Sequence, residues 1–191
     1  FMRKVNWVLD ADIRDFFGTI NHEWLVKMLE HRVADRRILR LVRKWMSAGV
    51  LEAGRVQRTE RGTPQGAAIS PLLANVFLHY VLDMWVERWR RTVAEGDVVI
   101  VRYCDDFIVG FERRDEAQAF LAELRERLGK FCIGLHPEKT RLVRFGCYAN
   151  ERARRYKERR AGTFRFLGFT HICGHSSNGR FLVVRHTEAG R

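Results

Sequence analysis

Two acidic residues set side by side between two apolar strands constrain this chain more than any other feature. Asp97–Tyr103 and Phe107–Phe111 are apolar, β-branched-rich runs, and only Cys104, Asp105 and Asp106 separate them. Such runs with a short link predict a β-hairpin. Tight hairpin turns favour Asn-Gly or Asp-Gly, because positive φ is needed at the turn. Here no glycine is present, and two carboxylates that repel each other stand together. One reading is an ordinary polar turn. The other is a cation site, since divalent ions placed between carboxylates remove the repulsion. Two-metal phosphoryl displacement demands such a pair, with ions about 3.5–4 Å apart clamping the attacking and leaving oxygens. Mg²⁺ takes hard oxygen ligands, so a third carboxylate from a neighbouring strand would complete the cage.

The first strand offers two candidates for that third ligand. Alternation over Val5–Ile13 puts Val8, Asp10 and Asp12 on one face and Leu9, Ala11 and Ile13 on the other. Asp10 and Asp12 therefore compete for the role if this strand lies beside the hairpin.

The remaining pattern alternates helices and strands. Asn21 and Asp35 are placed to cap two helices, with inward stripes Leu25, Met28, Leu29, Val33 and Ile38, Val42, Trp45, Met46. Val50–Arg58, turning at Gly54, reads as a short hairpin, and Arg61–Gly66 as a Gly/Pro loop. Ser70 as cap and Pro71 in the first turn open a helix to about Glu95, with Leu72, Leu73, Val76, Phe77, Tyr80 and Met84 on a wide apolar face. Ala117, Phe120, Leu121, Leu124 and Leu128 form another helical stripe, closed by Gly129. Ile133–Phe145 returns to the sheet. Phe164–Ile172 and Arg180–Val184 are further strands joined by a Gly/Ser/Asn turn. The order β-α-α-β-β-α-β-β-α-β with a terminal hairpin implies an α+β fold, a mainly antiparallel sheet backed by helices.

Charge narrows the partner. The net charge is +12, the sort of excess that attracts a polyanion, either nucleic acid or an anionic membrane. Arginine dominates, 29 against 6 lysines, and its planar fork suits phosphates and bases. Within Glu151–Arg160, the residues Arg152, Arg154, Arg155, Lys157, Arg159 and Arg160 form either a solvated face or a set of phosphate contacts. The longest apolar stretch, Ala67–Leu82, is interrupted by Ser70, Pro71, Asn75 and His79 and falls short of a membrane span, so no membrane partner is expected. The four cysteines contain no C-x-x-C pair and point to a reducing cytosol. His171, Cys173 and His175 share a strand face but lack the fourth ligand of a zinc site.

Five segments in order carry a resemblance. Tyr103-Cys104-Asp105-Asp106 resembles the Y-x-D-D box of reverse transcriptases. Asp12-Ile13-Arg14-Asp15-Phe16-Phe17 with Ile20-Asn21-His22, and Arg61–Gly66 with Ile69–Asn75, resemble the first palm motif and the loop-helix motif of group II intron reverse transcriptases. Gly134–Thr140 and Phe166-Leu167-Gly168-Phe169 are similar to the two later motifs. The resemblance spans about Val8 to Val184 and implies a polymerase palm, with the primer grip in the terminal hairpin.

The resemblance also implies roles. Asp12, Asp105 and Asp106 would hold two Mg²⁺ ions, with Mn²⁺ as a substitute. Asp12 is favoured over Asp10 because Phe17, five residues on, matches the family's gate against ribose. Phe16 is the core residue beside it. Gln65, Gly66 and Tyr103 would line the nucleotide, and Lys139 would protonate the pyrophosphate or else stand as a solvated lysine. Phe166, Leu167 and Gly168 would form the primer grip, while His22 and Asn75 read as structural hydrogen-bonders. The implied activity is RNA-directed DNA synthesis in a bacterial cytoplasm, from an RNA template (intron RNA), a DNA primer and dNTPs. The parent protein would also aid splicing and mobility. Only eleven residues precede Asp12, so residues 1–191 are expected to be a palm fragment, without the family's fingers, thumb and maturase regions, and poorly active alone.

Three other readings compete. An RNA-dependent RNA polymerase usually has Gly before the Asp pair and a polar sugar gate, unlike Tyr103-Cys104 and Phe17. A nucleotide cyclase would need a Gly-Gly-Asp/Glu-Glu-Phe turn, which is absent. A non-catalytic RNA-binding palm would have no need of three intact acidic positions.

Overall fold

A computed structural model describes residues 4–47, 50–52, 55–57, 69–149, 151 and 161–187. In chain order the elements are β1 (Trp7–Ala11), α1 (Phe16–Thr19), α2 (His22–Glu30), α3 (Arg36–Ser47), β2 (Val50–Glu52), β3 (Arg55–Gln57), α4 (Ser70–Leu78), a π-helical turn (His79–Asp83), α5 (Met84–Thr92), β4 (Val98–Tyr103), β5 (Asp106–Phe111), α6 (Arg114–Gly129), β6 (Arg141–Arg144), β7 (Phe164–Phe166), β8 (Phe169–His175) and β9 (Phe181–Thr187). The chain divides into two compact units. One comprises Phe1–Asp12, Trp89–Leu124 and His136–Arg191; the other comprises Ile13–Arg88 and Arg125–Leu135.

The first unit is built on a four-stranded sheet of order β4-β5-β1-β6, antiparallel throughout. β5 alternates strictly, so Phe107, Val109 and Phe111 are buried on one face. That face meets Phe120 of α6, 5.1 Å from the Phe111 ring and 5.0 Å from the Trp89 ring. Directly paired residues share a face, so Leu9 and Ala11 lie with Val109 and Phe107, while Asp10 lies with Ile108. A second antiparallel sheet, β7-β8-β9, covers this other face through Val8, Phe145, Phe164, Phe166 and Cys173. Gly146 makes the close fit possible. Its φ is 132°, and a Cβ there would stand 2.1 Å from the Val5 carbonyl oxygen. The Gly146 N–H donates to the buried Cys173 Sγ at 3.3 Å.

In the second unit, the Asn21 and Asp35 caps form as the sequence predicts. Their carboxamide and carboxylate oxygens accept the N–H groups of Trp24 (3.0 Å) and Arg37 (2.7 Å). Phe131 packs edge-on to Trp24 and Phe77, at 5.2 and 6.1 Å. On α3 the buried stripe is Leu39, Val42 and Met46, whereas Ile38 and Trp45 are exposed, contrary to the sequence expectation. Two apolar stripes run along that helix, and only one can face the unit's core.

The long helix expected over residues 70–95 is interrupted. Its cap is Ile69 rather than Ser70, which lies buried in the first turn. The π turn takes one residue more than an α turn, so the inward face shifts by one position beyond it. Met84 therefore points outward, and Val86 and Trp89 are buried instead. Arg127 donates to the Val81 and Tyr80 carbonyls of the π turn at 3.0 and 3.1 Å. Gly129 is the last residue of α6, and the left-handed residue beyond it is Cys132 (φ 61°).

Phe164–Ile172 is also not one strand. It reverses at Leu167-Gly168, where both φ values are positive (52° and 75°), the pattern of a type I′ turn. Leucine replaces the usual Asn at the first turn position, which hides the hairpin in the sequence. No described helix is long and apolar enough to cross a membrane.

His171 stacks on Phe164 with ring centroids 4.7 Å apart. Burial holds its imidazole below the ordinary range, and the Arg185 charge acts in the same sense. The unfolded chain therefore binds this proton more readily than the folded one. Stability is expected to fall as pH drops below about 6.5. Urea unfolding at pH 7.5 and 5.5 checks this: acidification should cost the His171→Phe variant less stability than it costs the parent protein.

Candidate functional site

The β1–β5 register builds the site. Ala11 pairs with Phe107 in antiparallel register, so continuing it one step past the end of β1 brings Asp12 beside the residue before Phe107, Asp106. Asp106 in turn pairs with Tyr103 across the two-residue turn Cys104-Asp105. Cys104 has φ 54° and Asp105 does not share the positive value, which is the type II′ pattern that normally takes glycine first. A side chain there is strained, a feature that persists where surrounding contacts over-determine it. Arg102 Nη1 helps by donating to the Cys104 carbonyl at 2.8 Å.

The electrostatics are those of a crowded anionic patch. Burial pushes the Asp106 carboxyl above its usual range, and repulsion from Asp10, Asp105 and Asp12 adds to the shift. The Leu167 N–H opposes it by donating to Asp106 Oδ2 at 3.3 Å. Asp12 pairs with Lys139, Oδ2 to Nζ 2.8 Å, and this carboxylate holds the Lys139 pKa above the ordinary lysine value. Asp10 differs in being committed to partners of its own. Arg141 Nε and Nη2 each reach its Oδ2 at 3.2 Å, and the Arg165 N–H donates to the same carboxylate. Its side chain is only 17% exposed, and burial raises its pKa. Asp10 faces Ile108 within β1, Asp12 follows the end of β1 at the turn, and both repel Asp106, Asp10 the more strongly.

The donors suit a hard divalent ion in kind, and their mutual repulsion is what such an ion relieves. Among the described residues, no three Asp, Glu, His or Cys side chains are gathered closely enough to enclose an ion as they stand. Asp12 is engaged by Lys139 and Asp106 by the Leu167 amide.

The other predicted residues are distributed as follows. Tyr103 is 66% exposed at the end of β4. Phe166 is buried, while Leu167 and Gly168 form the exposed turn. Phe17 belongs to the second unit, half-buried and edge-on to Phe16 at 5.5 Å; Phe16 is core, tilted against Phe77. Asn75 donates to the Pro71 carbonyl at 3.0 Å, as a structural hydrogen-bonder would. Gln65, Gly66, Arg152, Arg154, Arg155, Arg159 and Arg160 lie outside the described residues. Sequence reasoning missed Arg141 as the partner of Asp10, a cross-strand charge pair that is visible only once the β1–β6 register is known.

An antiparallel sheet backed by helices, with an acidic hairpin turn beside its central strand, is the fold of a polymerase palm. Solved apo telomerase from Candida tropicalis has this fold, with a TM-score of 0.68 over 95% of this chain and 33% of that one, at 13% identity. The chain belongs to the reverse transcriptase family, whose description "Reverse transcriptase (RNA-dependent DNA polymerase)" matches residues 2–171. It is similar to "Protein YkfC" of Escherichia coli K12, 29% identical over 71% of this chain and 43% of that protein. It is also similar to "Group II intron-encoded protein LtrA" of Lactococcus lactis, 39% identical over 42% of this chain and 13% of that protein. The chain thus spans less than half the length of these relatives.

The strained turn yields a stability test. Leu167 is 46% exposed, so replacing it loses little packing, and Asn tolerates positive φ. Leu167→Asn is expected to raise unfolding free energy by about 1 kcal/mol in urea titration. A decrease would show that the leucine side chain contributes packing here.

Proposed function

We propose that this chain is the catalytic palm of an RNA-directed DNA polymerase from a group II intron-like element, which extends a DNA primer on an RNA template with dNTPs. The observation that carries the reading is the register that sets Asp12 beside the Asp105–Asp106 turn. Asp12, Asp105 and Asp106 would hold two Mg²⁺ ions, with Mn²⁺ as a substitute. Such ions, when bound, activate the primer 3′-OH and neutralise charge on the phosphates.

The chain's own groups do the rest. Lys139 carries a proton to give, and the paired Asp12 carboxylate holds its pKa above the ordinary lysine value. Once released from Asp12, its ammonium can give that proton to the pyrophosphate oxygen as the Pα–O bond breaks. Phe17 would stand against the sugar and exclude ribose, with Gln65, Gly66 and Tyr103 lining the nucleotide. Phe166, Leu167 and Gly168 would place the primer end, where orientation dominates the rate. Arg152, Arg154, Arg155, Arg159 and Arg160 would bind phosphates of the template or intron RNA. The parent protein would work in a bacterial cytoplasm and also assist splicing and mobility.

Two substitutions in the full-length protein test this. Asp105→Ala should reduce templated extension more than about a hundredfold while leaving RNA affinity within about twofold. Undiminished extension by this variant would reject the assignment. Phe17→Ala should increase ribonucleotide use relative to dNTPs by about tenfold or more in single-nucleotide incorporation. Unchanged sugar discrimination would make Phe17 an ordinary packing residue.

A further inference from the structure

Two successive outward N–H groups of the β7 hairpin end on carboxylates of two neighbouring sheet strands, and only one of those carboxylates, Asp106, is among the metal ligands proposed above. In a two-residue hairpin the flanking pair, here Phe166 and Phe169, exchanges both of its hydrogen bonds. The N–H groups of Phe164 and Phe166 therefore face β8, and those of Arg165 and Leu167 face away from it. β7 is an edge strand, so these outward donors need acceptors from elsewhere. Arg165 finds Asp10 on β1, and Leu167 finds Asp106 on β5. Val8, two residues before Asp10 and on the same face, packs in one cluster with Phe164 and Phe166. Arg141 stands opposite Asp10 on β6 and holds its carboxylate with two guanidinium nitrogens at 3.2 Å.

We propose that Asp10 is a positioning residue: braced by Arg141, its carboxylate pins the Leu167-Gly168 turn in place through the Arg165 N–H. Asp106 has a second duty in the proposed chemistry, so its hold on Leu167 competes with that duty. Asp10 has no such duty, and Arg141 already balances its charge. It is the anchor that stays. The role in primer placement rests on the polymerase reading above, whereas the tether itself rests on the β7 pairing, the Asp10–Arg165 and Asp106–Leu167 hydrogen bonds and the Arg141 brace.

The test uses the full-length protein with Asp10→Asn, Asp10→Leu and Arg141→Gln. Asn keeps an acceptor for the Arg165 N–H, and Leu keeps the volume without one. Asp10→Leu should raise the primer–template KM about tenfold, leave the dNTP KM within about twofold, and speed amide exchange in residues 164–169 about tenfold. Asp10→Asn should restore most of both effects. Equal behaviour of Asn and Leu, or unchanged exchange in the Leu variant, would overturn the tether. If Asp10→Leu does not fold, Arg141→Gln decides: faster exchange in residues 164–169 supports the proposal, and unchanged exchange overturns it. Amide exchange needs no catalysis. Full extension by Asp105→Ala would therefore sink the polymerase reading and the primer role, while unchanged exchange would sink the tether alone.

Discussion

The antiparallel register between β1 and β5 is the constraint on which the rest depends. With Ala11 opposite Phe107, the end of β1 comes up against the acidic hairpin turn, and Asp12 arrives beside Asp106. A slip of one residue would send Asp10 and Asp12 to the face packed on Phe120 and Trp89, and would turn Leu9 and Ala11 to the opposite face. The buried ring cluster of Phe111, Phe120 and Trp89 on one face, and Phe145 with Phe164 on the other, makes such a slip costly. The apolar core thus sets where the carboxylates stand.

Repulsion among those carboxylates is then managed by three kinds of partner. Arg141 braces Asp10, the Lys139 ammonium pairs with Asp12, and the Leu167 amide donates to Asp106. Burial and mutual repulsion still leave the Asp106 carboxyl above its ordinary range. A patch in that condition has an unmet demand for positive charge, which fits the cation chemistry proposed for it. Strain is concentrated in the same place, since Cys104 and Leu167, two of the non-glycine residues at positive φ, sit in the two turns that meet at Asp106.

Much of this was legible beforehand because it depends on local pattern. Alternation in β5, the Asn21 and Asp35 caps, and the acidic link between β4 and β5 are written in adjacent residues. The misreadings share a cause. Helical periodicity assumes a constant turn, so the π turn at His79–Asp83 carried Met84 out and Val86 in. The hairpin signal assumes asparagine before glycine, so Leu167-Gly168 reads as strand in the sequence. On α3 two apolar stripes were available, and only packing against the rest of the unit selected Leu39, Val42 and Met46.

Residue order alone settled most of the strands and helices, which side chains carry charge, and that Asp105 and Asp106 stand at one tight hairpin turn, because each follows from neighbours a few positions apart. It left Asp10 and Asp12 as equals by periodicity, since a two-residue repeat puts both on one face. Tertiary structure separated them. Strand pairing set Asp12 next to the turn and gave Asp10 to Arg141, 131 residues away along the chain, and a contact at that separation has no local signature.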